Sequence, residues 1–133
     1  MRGMTLEELK GRYESAKKLG PGTRYVLDLE AGERFILVSA AWALTGHNVH
    51  GTDRPDVQLI GRRQLEGAYR SNGDGLVLDV RRLTDTAGDG RGLGHPPPIR
   101  RDLSESIAVE VLSGPPPGLR FKLYGSLVEL ARL

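Results

Sequence analysis

Apolar side chains recur at every second position in several short stretches of this chain, and that period constrains the fold more than any other feature. In residues 24–29, Tyr25, Leu27 and Leu29 fall on one side, with Val26 and Asp28 on the other. Leu76, Leu78 and Val80 alternate in the same way with Val77, Asp79 and Arg81, and residues 106–112 repeat the pattern. Successive side chains of a strand point to opposite faces, so such stretches belong in a sheet with one face on a core. Residues 35–38 are apolar on both sides and return from 24–29 through Glu30-Ala31-Gly32-Glu33, as a hairpin whose second strand is buried on both faces. Ser71-Asn72-Gly73-Asp74 carries an Asn-Gly pair, which supplies the positive φ angles of a tight turn. It predicts a second hairpin, about 64–70 with 75–82. Residues 119–124 return as a strand after the stiff connector Gly114-Pro115-Pro116-Pro117-Gly118. Residues 40–46 fit either a strand extension or a short helix ending at Gly46. Residues 62–70 fit either period, with the following turn favouring strand.

Both ends of the chain carry helical signals. Thr5-Leu6-Glu7-Glu8 has the form of a capping box, and Leu6, Leu9, Tyr13 and Ala16 follow at helical spacing. Lys17 and Lys18 suit the negative end of a helix, and Gly20-Pro21-Gly22 stops it, which predicts a helix over about 5–19. After Gly125-Ser126, the residues Leu127, Val128, Leu130, Ala131 and Leu133 read as a closing helix that must dock on the sheet or on another subunit. The expected fold is therefore α+β: a mainly antiparallel sheet of about five to seven strands, an N-terminal amphipathic helix and a short C-terminal one. The length, 133 residues, suits a single domain.

Eighteen glycines and eight prolines leave an apolar fraction of 38%, so much of the chain is turn and loop. The stretch 84–98, TDTAGDGRGLGHPPP, offers almost nothing to bury and predicts a flexible loop. No cysteine is present, which excludes disulfides, thiolate metal sites and cysteine nucleophiles. The longest apolar run, 35–44, falls short of the ~20 residues that span a bilayer. The N-terminal residues have no apolar signal-peptide core. A cytoplasmic protein with no membrane partner is the expectation. Fifteen of the nineteen cations are arginine, whose fork suits carboxylates and phosphates. Three arginine pairs, Arg62-Arg63, Arg81-Arg82 and Arg100-Arg101, follow one another at intervals of nineteen residues. On strands, one member of each pair would face outward and could join a shared nucleic-acid-binding patch.

Two constellations carry candidate chemistry. His47, His50 and Asp53 lie within seven residues of one another, and their nitrogen and oxygen donors suit zinc or another divalent ion. Pro55-Asp56 followed by Asp79-Val80-Arg81 resembles the nuclease core in which Pro-Asp precedes a strand bearing Asp/Glu-x-Lys. That resemblance covers about 27 residues and implies a metal held by Asp56 and Asp79. Arg81 stands where the core has lysine, and a guanidinium does not act as a base. No serine lies in a Gly-x-Ser-x-Gly setting. The glycines at 73–75 and 88–94 match neither a phosphate loop nor a calcium loop.

The leading expectation is a non-catalytic binding or assembly domain without a cofactor. Its partner is a protein or a second copy of the chain, and nucleic acid is the further partner class that an arginine-rich surface allows. The alternative is a metal-dependent hydrolase or nuclease using the histidine and aspartate ligands.

Overall fold

In the computed structural model the chain is nearly all β, and eight antiparallel strands close into a barrel when the first pairs with the last. The structure describes residues 6–15, 22–44, 57–87, 97–114 and 116–133. One helical turn, α1 (Leu6–Leu9), leads into β1 (Gly11–Glu14), β2 (Gly22–Glu30), β3 (Arg34–Leu44), β4 (Val57–Asn72) and β5 (Gly75–Ala87). Then follow β6 (Ile99–Leu112), β7 (Gly118–Leu123) and β8 (Ser126–Arg132). Each strand pairs with its neighbours in sequence, so the period-two pattern has one inside and one outside.

The register stacks the inward residues in layers. Leu27, Leu37, Leu65 and Leu83 stand opposite one another across β2 to β5, and all four are buried. Leu76, Val109, Phe121 and Val128 make a second apolar layer across β5 to β8. Tyr69, Leu78, Phe35 and Leu119 complete a continuous core with no buried charged or polar side chain among the described residues. An eight-stranded barrel is just narrow enough for side chains to fill it. Each fully buried leucine contributes roughly 1.5–3 kcal/mol.

The α+β expectation is overturned at both termini. Leu9 and Tyr13 do face one side together, as the helical spacing implied, but through a single helical turn followed by a strand. Both are buried in the barrel, and the Tyr13 hydroxyl donates to the Leu9 carbonyl at 2.8 Å. The remaining pattern was too short to hold a helix alone, since isolated helices of ~15 residues are marginal in water. Strand pairing wins because β1 fills the gap between β2 and β8. Residues 5 and 16–19 of the expected helix lie outside the described residues.

The expected C-terminal helix is β8. Val128 and Leu130 point into the core while Leu127, Glu129 and Ala131 are exposed. A run of this length does not distinguish the two periods. The Gly125-Ser126 step is a hairpin turn: Tyr124 and Gly125 have φ of 50° and 83°, the pair of positive angles of a type I′ connection. Arg132 at the end of β8 donates to the carbonyls of Glu8 and Lys10 at 2.7 Å each, so the last strand ties down the carbonyls left open by α1.

Both predicted hairpins form, with longer arms than expected. Residues 34–44 are one strand, which settles the first part of the open stretch 40–46; residues 45 and 46 lie outside the described residues. Residues 62–70 lie wholly within β4. At the second turn Asn72 pairs with Gly75, so the two central residues are Gly73 and Asp74. Of these only Gly73 has a positive φ, 63°, which makes the turn type II′ and not an Asn-Gly turn. β5 runs on to Ala87, so the stretch 84–98 begins inside the sheet; residues 88–96 lie outside the described residues.

Candidate nucleic-acid interface

Strand parity sorts the arginine pairs. On β4 and β6 the members of each pair separate to opposite faces. Arg63 shares its face with buried Leu65, and Arg62 stands outside; Arg101 lies opposite buried Leu83, and Arg100 stands outside. The pair on β5 departs from that rule. Glu66 pairs with Arg82 while Gly67 pairs with Val80, so Arg81 is an extra residue relative to β4. The bulge leaves Arg81 and Arg82 both exposed. Gly67 accommodates the bulge, since a Cβ there would collide with the Asp79 carbonyl.

Outside the barrel, cross-strand register builds rows of unlike charge character. The row Asp28, Ile36, Glu66, Arg82, Asp102 is a ladder of opposite charges. Arg12 joins it through Asp28 at 2.9 Å, and Arg82 reaches Glu66 at 3.6 Å and Asp102 at 4.0 Å. Beyond that row, two more hold no acid between β2 and β6. One is Arg24, Ala40, Arg62, Thr86, and the other is Val26, Val38, Gln64, Thr84, Arg100, whose far end meets Glu14 on β1 opposite Val26. Arg62 and Arg100 are exposed, and neither has a carboxylate partner among the described residues. They lie two strands apart, about 10 Å at the usual strand spacing. Between β2 and β6 these two rows carry only positive charge, as arginine forks beside small hydrogen-bonding and apolar side chains.

The inward members do different work. Arg63 sits one layer above the leucines, opposite Asp85, and binds both carboxylate oxygens at 2.7 and 3.0 Å. The Asp85 hydrogen bond is the largest influence on Arg63 and raises its pKa, against the opposing effect of partial burial. The Tyr124 ring, at the tip of the β7–β8 hairpin, lies 5.1 Å from the Arg63 guanidinium carbon. Arg63 is thus occupied structurally, and Arg101 stands exposed on the inward side of β6.

Of the candidate metal residues, His47, His50, Asp53 and Asp56 lie outside the described residues. Asp79 is on β5, where its carboxylate accepts hydrogen bonds from Ser106 at 2.9 Å and Arg70 at 3.0 Å. Those contacts, Ser106 first, hold its carboxyl below the usual range. Arg81 lies in the neighbouring bulge, makes no ion pair among the described residues, and its charge adds to the lowering of the Asp79 carboxyl. No group of three or more potential metal ligands occurs among the described residues. A groove of about 460 Å³ runs outside the bulge, lined by Glu30, Arg34, Glu66, Arg81, Arg82 and Asp102. Its charges are of both signs, unlike the stretches of the two rows between β2 and β6. No helix among the described residues is long and apolar enough to cross a membrane.

What fold and surface define is an up-and-down antiparallel barrel, filled by its own side chains, with one basic sheet face. Comparison with protein-family models, with curated proteins and with solved structures finds no match for this chain. The outward placement of Arg62 and Arg100 follows from strand parity. What sequence reasoning missed is that neither forms an ion pair among the described residues, because that depends on which strands become neighbours.

Proposed function

We propose that the protein is a non-catalytic binding domain that takes nucleic acid on the outer face of β2 to β6. The observation that carries this reading is the pair of exposed arginines, Arg62 and Arg100, which have no ion-pair partner among the described residues and stand on rows without a carboxylate between β2 and β6. Arginine forks in such a setting neutralise phosphates without first giving up an internal ion pair. Thr84, Thr86 and Gln64 lie between them and offer neutral hydrogen bonds to phosphate or sugar. These rows contain no aromatic ring for stacking bases. Binding is therefore expected to be electrostatic and tolerant of sequence, with steep salt dependence.

Fluorescence-anisotropy titration of labelled single- and double-stranded DNA at two salt concentrations tests this. The wild-type chain should bind, with affinity falling as salt rises. Arg62→Glu with Arg100→Glu should reduce affinity at least tenfold, and each neutral substitution should lower the salt slope by about one. Circular dichroism would confirm that the variants fold. Absent binding, salt-indifferent binding or an unaffected double variant would refute the reading.

A further inference from the structure

The barrel is closed unevenly along β6. That strand pairs with β5 from Ile99 to Val109, yet with β7 only from Val109 to Leu112. Residues 99–108 therefore have a strand neighbour on one side alone among the described residues. The β7–β8 hairpin pairs with β6 only as far as Val109, and its tip residue Tyr124 lies over Arg63 on β4. An edge of ten residues without a second strand neighbour among the described residues is a template for another strand.

The composition of this edge is self-complementary. In an antiparallel pair formed by two copies about a two-fold axis, residues opposite each other must share a face, so their numbers must sum to an even value. With the axis at Leu103, Arg101 of each copy faces Glu105 of the other. Ile99 then faces Ile107, Asp102 faces Ser104, and Leu103 meets its own symmetry mate. Moving the axis to Asp102 would put two aspartates together and Ile99 against Glu105. Moving it to Ser104 would set Leu103 against Glu105 and Arg101 against Ile107. Arg101 and Glu105 are both exposed, and neither has an ion-pair partner among the described residues. Leu103 and Ile107 are partly buried against the core, on the same side of the strand.

We infer that β6 is a homodimer interface, in which two copies pair their edges antiparallel about Leu103 and join two barrels through one continuous sheet. The interface is isologous, as a two-fold requires. Opposite charges directly across an antiparallel pair stabilise it, and like charges destabilise it. The dimer also sets both Arg100 side chains on the same outer side of the joined sheet. That consequence rests on the reading of the basic face, whereas the dimer itself does not.

Sedimentation equilibrium over a wide concentration range, without nucleic acid, tests the inference. The wild-type chain should show a reversible monomer–dimer equilibrium. Arg101→Glu alone and Glu105→Arg alone should each weaken association at least tenfold, by placing like charges opposite each other. The double exchange, Arg101→Glu with Glu105→Arg, should restore it. Both substituted positions are exposed and, by strand parity, lie on the face of β6 opposite Arg100, and association is measured without nucleic acid, so the dimer is read separately from the basic face. A wild-type chain that stays monomeric at millimolar concentration would overturn the inference. So would single reversals that leave association unchanged, or a double exchange that fails to restore it.

Discussion

Tyr124, at the tip of the β7–β8 hairpin, places its ring 5.1 Å from the guanidinium carbon of Arg63 on β4, the same group that binds Asp85 through two hydrogen bonds. One arginine thereby joins β4, β5 and the tip of the β7–β8 hairpin. The two contacts account for an inward-facing charge tolerated near the core.

Replacing Tyr124 by Ala should destabilise the fold by about 0.5–1 kcal/mol, the usual value of an exposed cation–π pair. Tyr124→Phe keeps the π face and should lose less. Urea unfolding of the two variants makes the comparison; equal losses would mean that the ring face contributes nothing.

Gly67 and Gly61 lie on the same strand and should respond in different ways to alanine. A methyl group at Gly67 would strike the Asp79 backbone, which has no rotamer by which to move aside, whereas at Gly61 the nearest atom is the Thr86 carbonyl at 3.7 Å. Gly67→Ala should cost on the order of 1–3 kcal/mol, as overpacking does. Gly61→Ala should be neutral or slightly stabilising, because it reduces the freedom of the unfolded chain. Chemical denaturation of both variants decides whether the bulge requires a residue without a side chain.

Tyr13 is fully buried, and its hydroxyl is bonded to the Leu9 carbonyl. Tyr13→Phe should lose about 1–3 kcal/mol by leaving that carbonyl unsatisfied. Burial, the largest cause, raises the pKa of Tyr13, and likewise of Tyr69. A phenol whose folded value is raised contributes stability that is complete below its unfolded value of about 10 and is lost as pH climbs past it. Stability should thus be flat to about pH 9 and fall above it, less steeply in Tyr13→Phe. Thermal melts across alkaline pH measure the slope, and an unchanged slope in the variant would contradict the assignment.

On the acid side the sign is opposite. The Ser106 hydrogen bond, with help from Arg70, lowers the pKa of Asp79 from 3.8. Its contribution is present above the unfolded value and is lost as pH falls through the lowered one. Asp79→Asn should therefore matter least in strong acid and most near neutrality. Melting midpoints at several pH values below 5 should show the two proteins converging.

How much of this was legible beforehand divides by the range of the interaction. Alternation at residues 24–29, 76–81 and 106–112 identified strands because their inward residues, such as Leu27 and Leu78, needed no distant information to be recognised as core. The same local logic separated Arg62 from Arg63. It failed where two periods coincide. Leu9 and Tyr13 meet on one side of a helix and also, through one turn and a strand, on one side of the barrel. The run from Leu127 to Leu130 is too short to show which period it follows.

By itself, then, the sequence determined the alternating strands at 24–29, 76–80 and 106–112 and the separation of Arg62 from Arg63 and of Arg100 from Arg101, since these depend on residues a few positions apart. Only tertiary structure decided that both chain ends would be strands with β1 paired to β8, and that a bulge would leave Arg81 and Arg82 both exposed. It alone decided that Glu66 and Arg82 would adjoin while Arg62 and Arg100 found no ion-pair partner among the described residues, and that part of β6 would have a neighbour on one side among the described residues. Closing a barrel joins chain segments more than a hundred residues apart. Which of them meet is set by the competition among whole strands for partners, a quantity that no local window of sequence contains.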